Sequence, residues 1–389
     1  MSWKVASVME ERIKFIVRAL NGDFNFSGLC EEFGVSRSTG YRWLNRYREC
    51  GSIFEVKELS RKPHSSPTKT STEYEERIKA LRLGHGWGAK KLQVLLAQEG
   101  IDLPVVTINR ILKRQGLIGS EACHRSALRR FERACPNELW QMDFKGDYTL
   151  RSGRCYPLSI LDDHSRFVVG LYALGDQKGE SVNSCLVDTF ERYGLPEAML
   201  MDHGTPWWSN TNGYGLTWLA VSLIKQGIRL YKSGFRHPQT QGKVERFHRT
   251  LKDSIRHVGR VSNCGNPKTI PEWEKALERF CEEYNYKRPH EALDMKVPAN
   301  RYKSSSRRYN ANPPEWDYPP EAIVKRLNPQ GSLNYKGGRY FVCEAMGKEY
   351  VQLERVESSL LVKYRQMYIR EIFVETGRSA PLILPVSTS

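Results

Sequence analysis

Three carboxylates stand where an acid is costly. Asp143 lies inside the apolar, aromatic run Leu139-Trp140-Gln141-Met142-Asp143-Phe144, Asp202 closes the apolar run Ala198-Met199-Leu200-Met201, and Glu245 lies on a helix-patterned stretch that follows residues 231–241. An acid within or ending a core strand is unfavourable unless it is paired or metal-bound. If the three converge, each pair at ~4 Å repels by several kcal/mol at an effective dielectric of about 20, so something cationic must hold them together. Oxygen ligands without histidine or cysteine favour Mg²⁺ or Mn²⁺, and two such ions can activate a water or a DNA 3′-hydroxyl while stabilising the leaving oxygen in phosphoryl transfer.

The elements that must position these acids read as an α/β pattern. Short β-like runs over 139–149, 154–161 and 168–174 precede a helix over 180–193, a strand over 198–202, a helix over 216–225 and a strand over 228–232; helices near 242–258 and 271–284 follow. Three strands and then alternating helix and strand predict a mixed sheet over residues 138–300. In the helix from Gly242, the residues Val244, Phe247, Leu251, Ile255 and Val258 recur at steps of three and four as the apolar face. Glu245, His248, Arg249, Lys252 and Arg256 form the opposite stripe; His248, Arg249, Lys252 and Arg256 are candidate DNA contacts, and Lys252 is placed to grip a DNA phosphate beside the metals. Asp162 and Asp163 read as turn or structural acids, His164 and Arg166 as ties for the neighbouring hairpin, and Trp207 and Trp208 as core or lid.

Charge shows what lies on either side. The 389 residues carry a formal charge of +16. There are 24 Lys and Arg against 15 Asp and Glu before residue 138, 22 against 20 over 138–300, and 14 against 9 beyond. A near-neutral, enzyme-like centre between basic ends points to a polyanionic partner. No apolar run reaches the ~20 residues of a membrane span, and Met1 to Lys4 lack the apolar stretch of a signal peptide, so a cytoplasmic, nucleoid-associated location is expected. The nine cysteines are scattered without a CxxC and read as reduced, buried thiols.

Residues 1–60 carry helix-turn-helix punctuation: helices over 10–20, 26–33 and 37–48, a turn at Gly34, and Ser36 placed to cap. The N-terminal turn of the last helix enters the major groove in such a unit, making Ser36, Arg37, Ser38, Thr39 and Arg42 candidate DNA contacts. Gly40 inside that helix costs about 1 kcal/mol relative to alanine. A linker over 61–72 leads to a second helical unit over 73–120, with helices at 73–83, 89–98 and 105–115 and with Thr107, Arg110, Lys113 and Arg114 as its DNA-facing residues. A basic linker over 121–137 joins it to the centre. Past a proline-bearing linker at 301–320, five short runs within 321–376 suggest a small SH3-like barrel, and 377–389 reads as a disordered tail. Lys336, Arg339, Lys363 and Arg365 are its candidate contact residues.

Five blocks carry a family resemblance: Trp-Gln-Met-Asp-Phe (140–144), Leu-Asp-Asp-His-Ser-Arg (161–166), Met-Asp-His-Gly-Thr-Pro-Trp (201–207), the block from His237 to Lys252, and Tyr-Asn-Tyr-Lys-Arg-Pro-His-Glu-Ala-Leu (284–293). Together they resemble the integrase catalytic core of bacterial insertion-sequence DDE transposases, relatives of retroviral integrases, and the tandem helix-turn-helix units extend the likeness over nearly the whole chain. The resemblance implies a multidomain protein with all-α helix-turn-helix domains, an α/β RNase H-like catalytic core with a mixed sheet and a small all-β SH3-like barrel. Its metal triad would fall on Asp143, Asp202 and Glu245, holding two Mg²⁺ or Mn²⁺ ions, with Lys252 as the accompanying base. The interval between Asp202 and Glu245 exceeds the family's usual one, and His203 stands where asparagine is frequent. The implied activity is binding of the element's terminal inverted repeats, cleavage to expose 3′-hydroxyls and joining to target DNA by a homo-oligomer. A sequence-specific DNA-binding regulator and a nuclease without strand transfer remain open alternatives. No P-loop is present, so any ATPase helper would be a separate chain.

Overall fold

The computed structural model describes residues 7–22, 25–53, 56, 70–118, 132–202, 204–209, 215–233, 242–262 and 265–382. Two compact units result, Met1–Thr70 and Ser71–Ser389.

The first unit is three helices, α1 (Val8–Asn21), α2 (Phe26–Glu32) and α3 (Arg37–Cys50), each entered through a side-chain cap. Ser7 and Glu10 form a reciprocal capping box, and Ser36 Oγ accepts the Thr39 N–H at 3.2 Å. Phe15, Ile16, Leu29, Cys30 and Trp43 fill the centre. Gly40 is explained here: a Cβ at this position would stand 2.8 Å from both Cys30 Sγ and Phe15 Cζ, so only glycine lets α3 cross this closely.

The second unit opens with α4 (Thr72–His85), α5 (Ala89–Gln98) and α6 (Val105–Arg114), packed about Ile78, Leu92, Leu96 and Ile108. These helices bond to the domain that follows: His85 Nδ1 lies 2.8 Å from Glu283 Oε1, and His257 Nε2 donates to the Leu83 carbonyl at 2.8 Å.

The central sheet contains β1 (Trp140–Phe144), β2 (Tyr148–Thr149), β3 (Arg154–Asp162), β4 (Val168–Leu174), β5 (Ala198–Met201) and β8 (Arg229–Lys232). The strand order is β2-β3-β1-β5-β8, with β4 also pairing β3 and β2 pairing only the start of β3. β1, β3 and β4 pair antiparallel, whereas β5 runs parallel to both β1 and β8. This is the mixed sheet expected of the core. The helices α7 (Gly179–Tyr193) and α8 (Trp218–Lys225) cover one face, over Trp140, Met142, Leu158 and Ile160. The helices α9 (Gly242–Val261) and α10 (Ile270–Glu282) cover the other, with a π-helical turn at Glu283–Lys287. A small hairpin, β6 (Trp208–Ser209) with β7 (Gly215–Leu216), brackets the insertion after Asp202.

The C-terminal region differs from the expected barrel. Among the described residues, β9 (Ile323–Arg326), β12 (Tyr350–Val356), β13 (Ser359–Tyr364), β14 (Met367–Phe373) and β15 (Arg378–Pro381) form an open antiparallel sheet, while β10 (Ser332–Tyr335) and β11 (Gly338–Phe341) form a separate hairpin. β15 lies in the segment expected to be disordered. Pairing with β14 satisfies its backbone, and Ser379 Oγ donates to the Phe341 carbonyl at 3.1 Å. Leu333, Val351, Val362 and Ile372 join the same apolar cluster as α8, so the sheet shares a core with the central domain. Arg365, expected on a contact surface, is instead buried and donates to the carbonyls of Lys225 at 2.7 Å and Pro314 at 3.0 Å. The linker over 301–320 forms no helix or strand. Arg307 on it caps three carbonyls of the core, those of Pro196, Gln226 and Gly227.

Candidate functional site

Strand periodicity determines where the acids face. Side chains alternate along a strand, so Gln141 and Asp143 point away from the α7 side, where Trp140 and Met142 are buried. Leu139, Ala198 and Leu200 cluster on one face, which makes Asp202, the next alternate residue, face the same way. The parallel ladder pairs Trp140 with Met199 and Gln141 with Leu200, and continuing it sets Asp143 beside Asp202. Adjacent strands lie about 4.8 Å apart, so the two carboxylates are neighbours. Asp202 is held from behind: its Oδ1 accepts the Gly204 N–H at 3.1 Å, and its carbonyl accepts Trp208 Nε1 at 2.7 Å. Trp207 stacks 5.9 Å from Phe144, and both tryptophans are buried, as core residues bracing the two acids.

The third acid arrives on α9. Val244, Phe247, Leu251 and Ile255 are buried against the sheet, and Glu245, Arg249, Lys252 and Arg256 are exposed. His248 departs from the expected stripe. It is buried, its Nε2 lies 3.0 Å from Ser159 Oγ, and its Nδ1 lies 3.8 Å from Asp143 Oδ2. At ~100° per residue it sits one turn above Val244, on the edge of the buried face, which sequence spacing assigns to the polar side only by residue type. Ser159 is the β3 partner of Asp143, so His248 seats α9 directly on the strand that bears the acid. Burial pushes the imidazole down to about 3, and it is neutral.

A buried ion pair adds a second anchor. Lys243 Nζ lies 2.6 Å from Asp163 Oδ1, and the same carboxylate accepts Gln141 Nε2 at 2.7 Å and the Arg133 N–H at 2.8 Å. Asp163 thereby links the first turn of α9 to the strand of Asp143. Asp162 accepts from Asn137 N, Ser165 N and Ser165 Oγ, consistent with the structural reading of both acids. Lys243 lies within a quoted motif, but nothing in the spacing marks it as the partner of an acid 80 residues away.

The charge state of Asp143 reflects this setting. Burial first, and then Asp202 and Glu245, push its carboxyl up to about 7, against the Phe144 N–H, which favours the ionised form. Among the described residues no group of three His, Cys, Asp or Glu side chains stands close enough to hold a metal ion as placed. The donor set is nonetheless all carboxylate, and burial together with the two neighbouring acids favours the protonated form of Asp143. A divalent cation suits such a set.

The helix-turn-helix candidates separate by exposure. Ser36, Arg37, Ser38 and Arg42 are exposed on the first turns of α3, and Thr39 is half-buried. Ser36 Oγ also contacts Ser38 Oγ and Thr39 Oγ1, each at 2.9 Å. On α6, Arg110 and Lys113 are exposed, Thr107 is half-buried, and Arg114 is paired with Glu75. His203, residues 57–69, which include most of the expected 61–72 linker, and residues 119–131 lie outside the described residues.

The chain matches the integrase core domain family over residues 133–238 and again over 226–298. It also matches a helix-turn-helix domain over 11–55 and a homeodomain-like domain over 39–112. An uncharacterised 31.7 kDa protein of insertion element IS407 from Burkholderia multivorans is 22% identical over 226 residues, 55% of this chain and 74% of that protein. The Gag-Pol polyprotein of avian reticuloendotheliosis virus is 29% identical over 126 residues, 32% of this chain and 10% of the polyprotein. Among solved structures, the HTLV-2 integrase catalytic core domain in complex with magnesium aligns at 15% identity and a TM-score of 0.34, covering 44% of this chain and 99% of that one. A simian T-cell lymphotropic virus intasome in complex with PP2A regulatory subunit B56 gamma aligns at 15% identity and 0.38, covering 75% and 97%. Both TM-scores are too low to bear on the fold. The sequence matches support the resemblance: an integrase core follows helix-turn-helix domains, as in an insertion-sequence DDE transposase.

Proposed function

We propose that this chain is a DNA transposase that binds the ends of its insertion sequence, cleaves to expose 3′-hydroxyls and joins them to target DNA. The observation that carries this reading is the placement of Asp143 and Asp202 on adjacent parallel strands, facing a helix whose first turn bears Glu245. Asp143, Asp202 and Glu245 would hold two Mg²⁺ or Mn²⁺ ions, which supply activation of the attacking oxygen and neutralise charge on the leaving one. The rest falls to the chain itself. Neutral His248, bonded to Ser159, sets the height of α9 above Asp143, and the Lys243–Asp163 pair sets its first turn. Exposed Arg249, Lys252 and Arg256 line the same edge as Glu245 and would hold phosphates of the strand to be cut. Ser36, Arg37, Ser38, Thr39 and Arg42 of α3, with Thr107, Arg110 and Lys113 of α6, would read the inverted repeat, and its two ends would be handled by a dimer or higher oligomer formed on DNA.

Incubation of the purified protein with a labelled element end, a target plasmid and Mg²⁺ tests the reading. Cleaved and joined products, both abolished by EDTA, are expected. Specific binding without either product would favour a regulator, and cleavage without joining would favour a nuclease.

A further inference from the structure

The outward face of α3 carries two residues that neither a cap nor a charge singles out, Tyr41 and Asn45. Along this helix Gly40, Trp43 and Leu44 are buried and Tyr47 is half-buried. At about 100° per residue these four mark the core side, and Ser38, Arg42 and Asn45 lie about 150–170° from its centre. Tyr41 falls between Arg37 and Asn45 on the same exposed arc, whereas Thr39 is half-buried at its edge. Most polar groups on this arc already have partners. Ser36 Oγ accepts the Thr39 N–H at 3.2 Å and contacts the Ser38 and Thr39 hydroxyls at 2.9 Å each, so three hydroxyls serve the helix cap. The Arg42 guanidinium lies 5.4 Å from the Trp43 ring centroid. Among the described residues the Asn45 amide and the Tyr41 hydroxyl make no hydrogen bond.

Tyr41 is exposed yet fixed. Its ring stacks on Phe26 of α2 at 4.1 Å and 28°, Phe26 meets Phe15 edge-on at 6.0 Å, and 45% of Tyr41 still faces solvent. A ring already held in one orientation loses little entropy when a ligand covers it. Ser38 and Asn45 stand seven residues apart, about 10 Å along the axis, which spans about three base-pair steps of 3.4 Å. The chemistry then selects the ligand. A carboxamide offers a donor and an acceptor side by side, the pattern that matches the N7 and N6 edge of adenine in the major groove, and an apolar ring suits the methyl group of thymine.

We propose that Asn45 reads an adenine edge in the major groove of the element end and that the Tyr41 ring covers the methyl group of a neighbouring thymine, which makes these two residues specificity-determining for the first helical unit. This rests on the reading of the chain as a protein that binds the ends of its element.

The test measures binding of the full chain to a labelled element end in which each adenine in turn is replaced by 7-deazaadenine, which lacks the N7 acceptor, and each thymine by uracil, which lacks the methyl group. Wild type, Asn45→Ala and Tyr41→Ala are compared, each with a salt series and a thermal midpoint. One deazaadenine position is expected to weaken wild-type binding by about fivefold to a hundredfold, and one nearby uracil position by a smaller factor. Asn45→Ala should bind the unmodified end more weakly by a similar factor and become indifferent to that deazaadenine, and Tyr41→Ala should become indifferent to that uracil. The salt slope of Asn45→Ala should equal that of wild type, because the side chain meets a base and no phosphate. Its thermal midpoint should stay level, because the position is exposed. A merely structural role would lower the midpoint and weaken binding to every modified end alike, which overturns the proposal. So does a wild type indifferent to every deazaadenine, a sensitivity that survives in Asn45→Ala, or a reduced salt slope in that variant, which would place Asn45 on a phosphate. Wild type that fails to bind any element end overturns both the site and the reading beneath it.

Discussion

Asp143→Asn is expected to stabilise the metal-free protein, and the size of the effect follows from the site. Burial, Asp202 and Glu245 raise this carboxyl from 3.8 to about 7. A thousandfold weaker acid corresponds to about 4 kcal/mol at about 1.4 kcal/mol per tenfold, an upper bound on what ionised Asp143 costs the fold. Because the folded carboxyl binds its proton more tightly than the unfolded one, wild-type stability falls as pH rises from about 4 to about 7 and is level above. Asparagine removes the charge while filling nearly the same space. Thermal unfolding in EDTA at pH 8 should therefore place the variant above wild type by several degrees, at about 2–4 °C per kcal/mol, with less than half of that gain at pH 5. Added Mg²⁺ should raise wild type more than the variant and close the gap. A variant no more stable than wild type at pH 8, or a gain that does not shrink at pH 5, would refute the burial and crowding that raise the Asp143 carboxyl.

Other substitutions test the supports. Lys243→Met leaves the buried Asp163 carboxylate without its cation and should cost about 3–5 kcal/mol in denaturant unfolding, most of it recovered in Lys243→Met/Asp163→Asn. Gly40→Ala should lower the unfolding midpoint of the first unit, because overpacking against Cys30 and Phe15 at about 1–3 kcal/mol outweighs the helix-propensity gain of about 1 kcal/mol; circular dichroism reads the shift. Replacing Arg249, Lys252 and Arg256 together by glutamine should lower the salt slope of DNA binding by up to about 2.7 if each holds its own phosphate, without affecting stability, since all three are exposed.

Much of the core was legible because its cues are local. β4 and α5 fall where the spacing places them, and the acids of β1 and β5 stand out against apolar neighbours. What could not be read depends on tertiary placement. His248 carries a polar side chain but lies at the edge of the apolar arc, and only its proximity to Ser159 and Asp143 makes it a buried seat for α9. The C-terminal runs have the alternation and glycine turns of a barrel, yet they spend their apolar faces on α8 and leave the sheet open, an outcome decided by a partner surface about 100 residues upstream. β9, with its exposed Ile323, Lys325 and Arg326, has no buried stripe to betray it.

The triad itself is tested most directly by strand cleavage of a labelled element end in Mg²⁺, comparing wild type with Asp143→Asn, Asp202→Asn and Glu245→Gln, each shown to bind the end as wild type does. Wild type should release a 3′-hydroxyl end, and each variant should fall to background, a loss of at least about 10³-fold if each carboxylate supplies about 4 kcal/mol of transition-state stabilisation. Cleavage that persists in any of the three would contradict the assignment of these carboxylates to the chemistry.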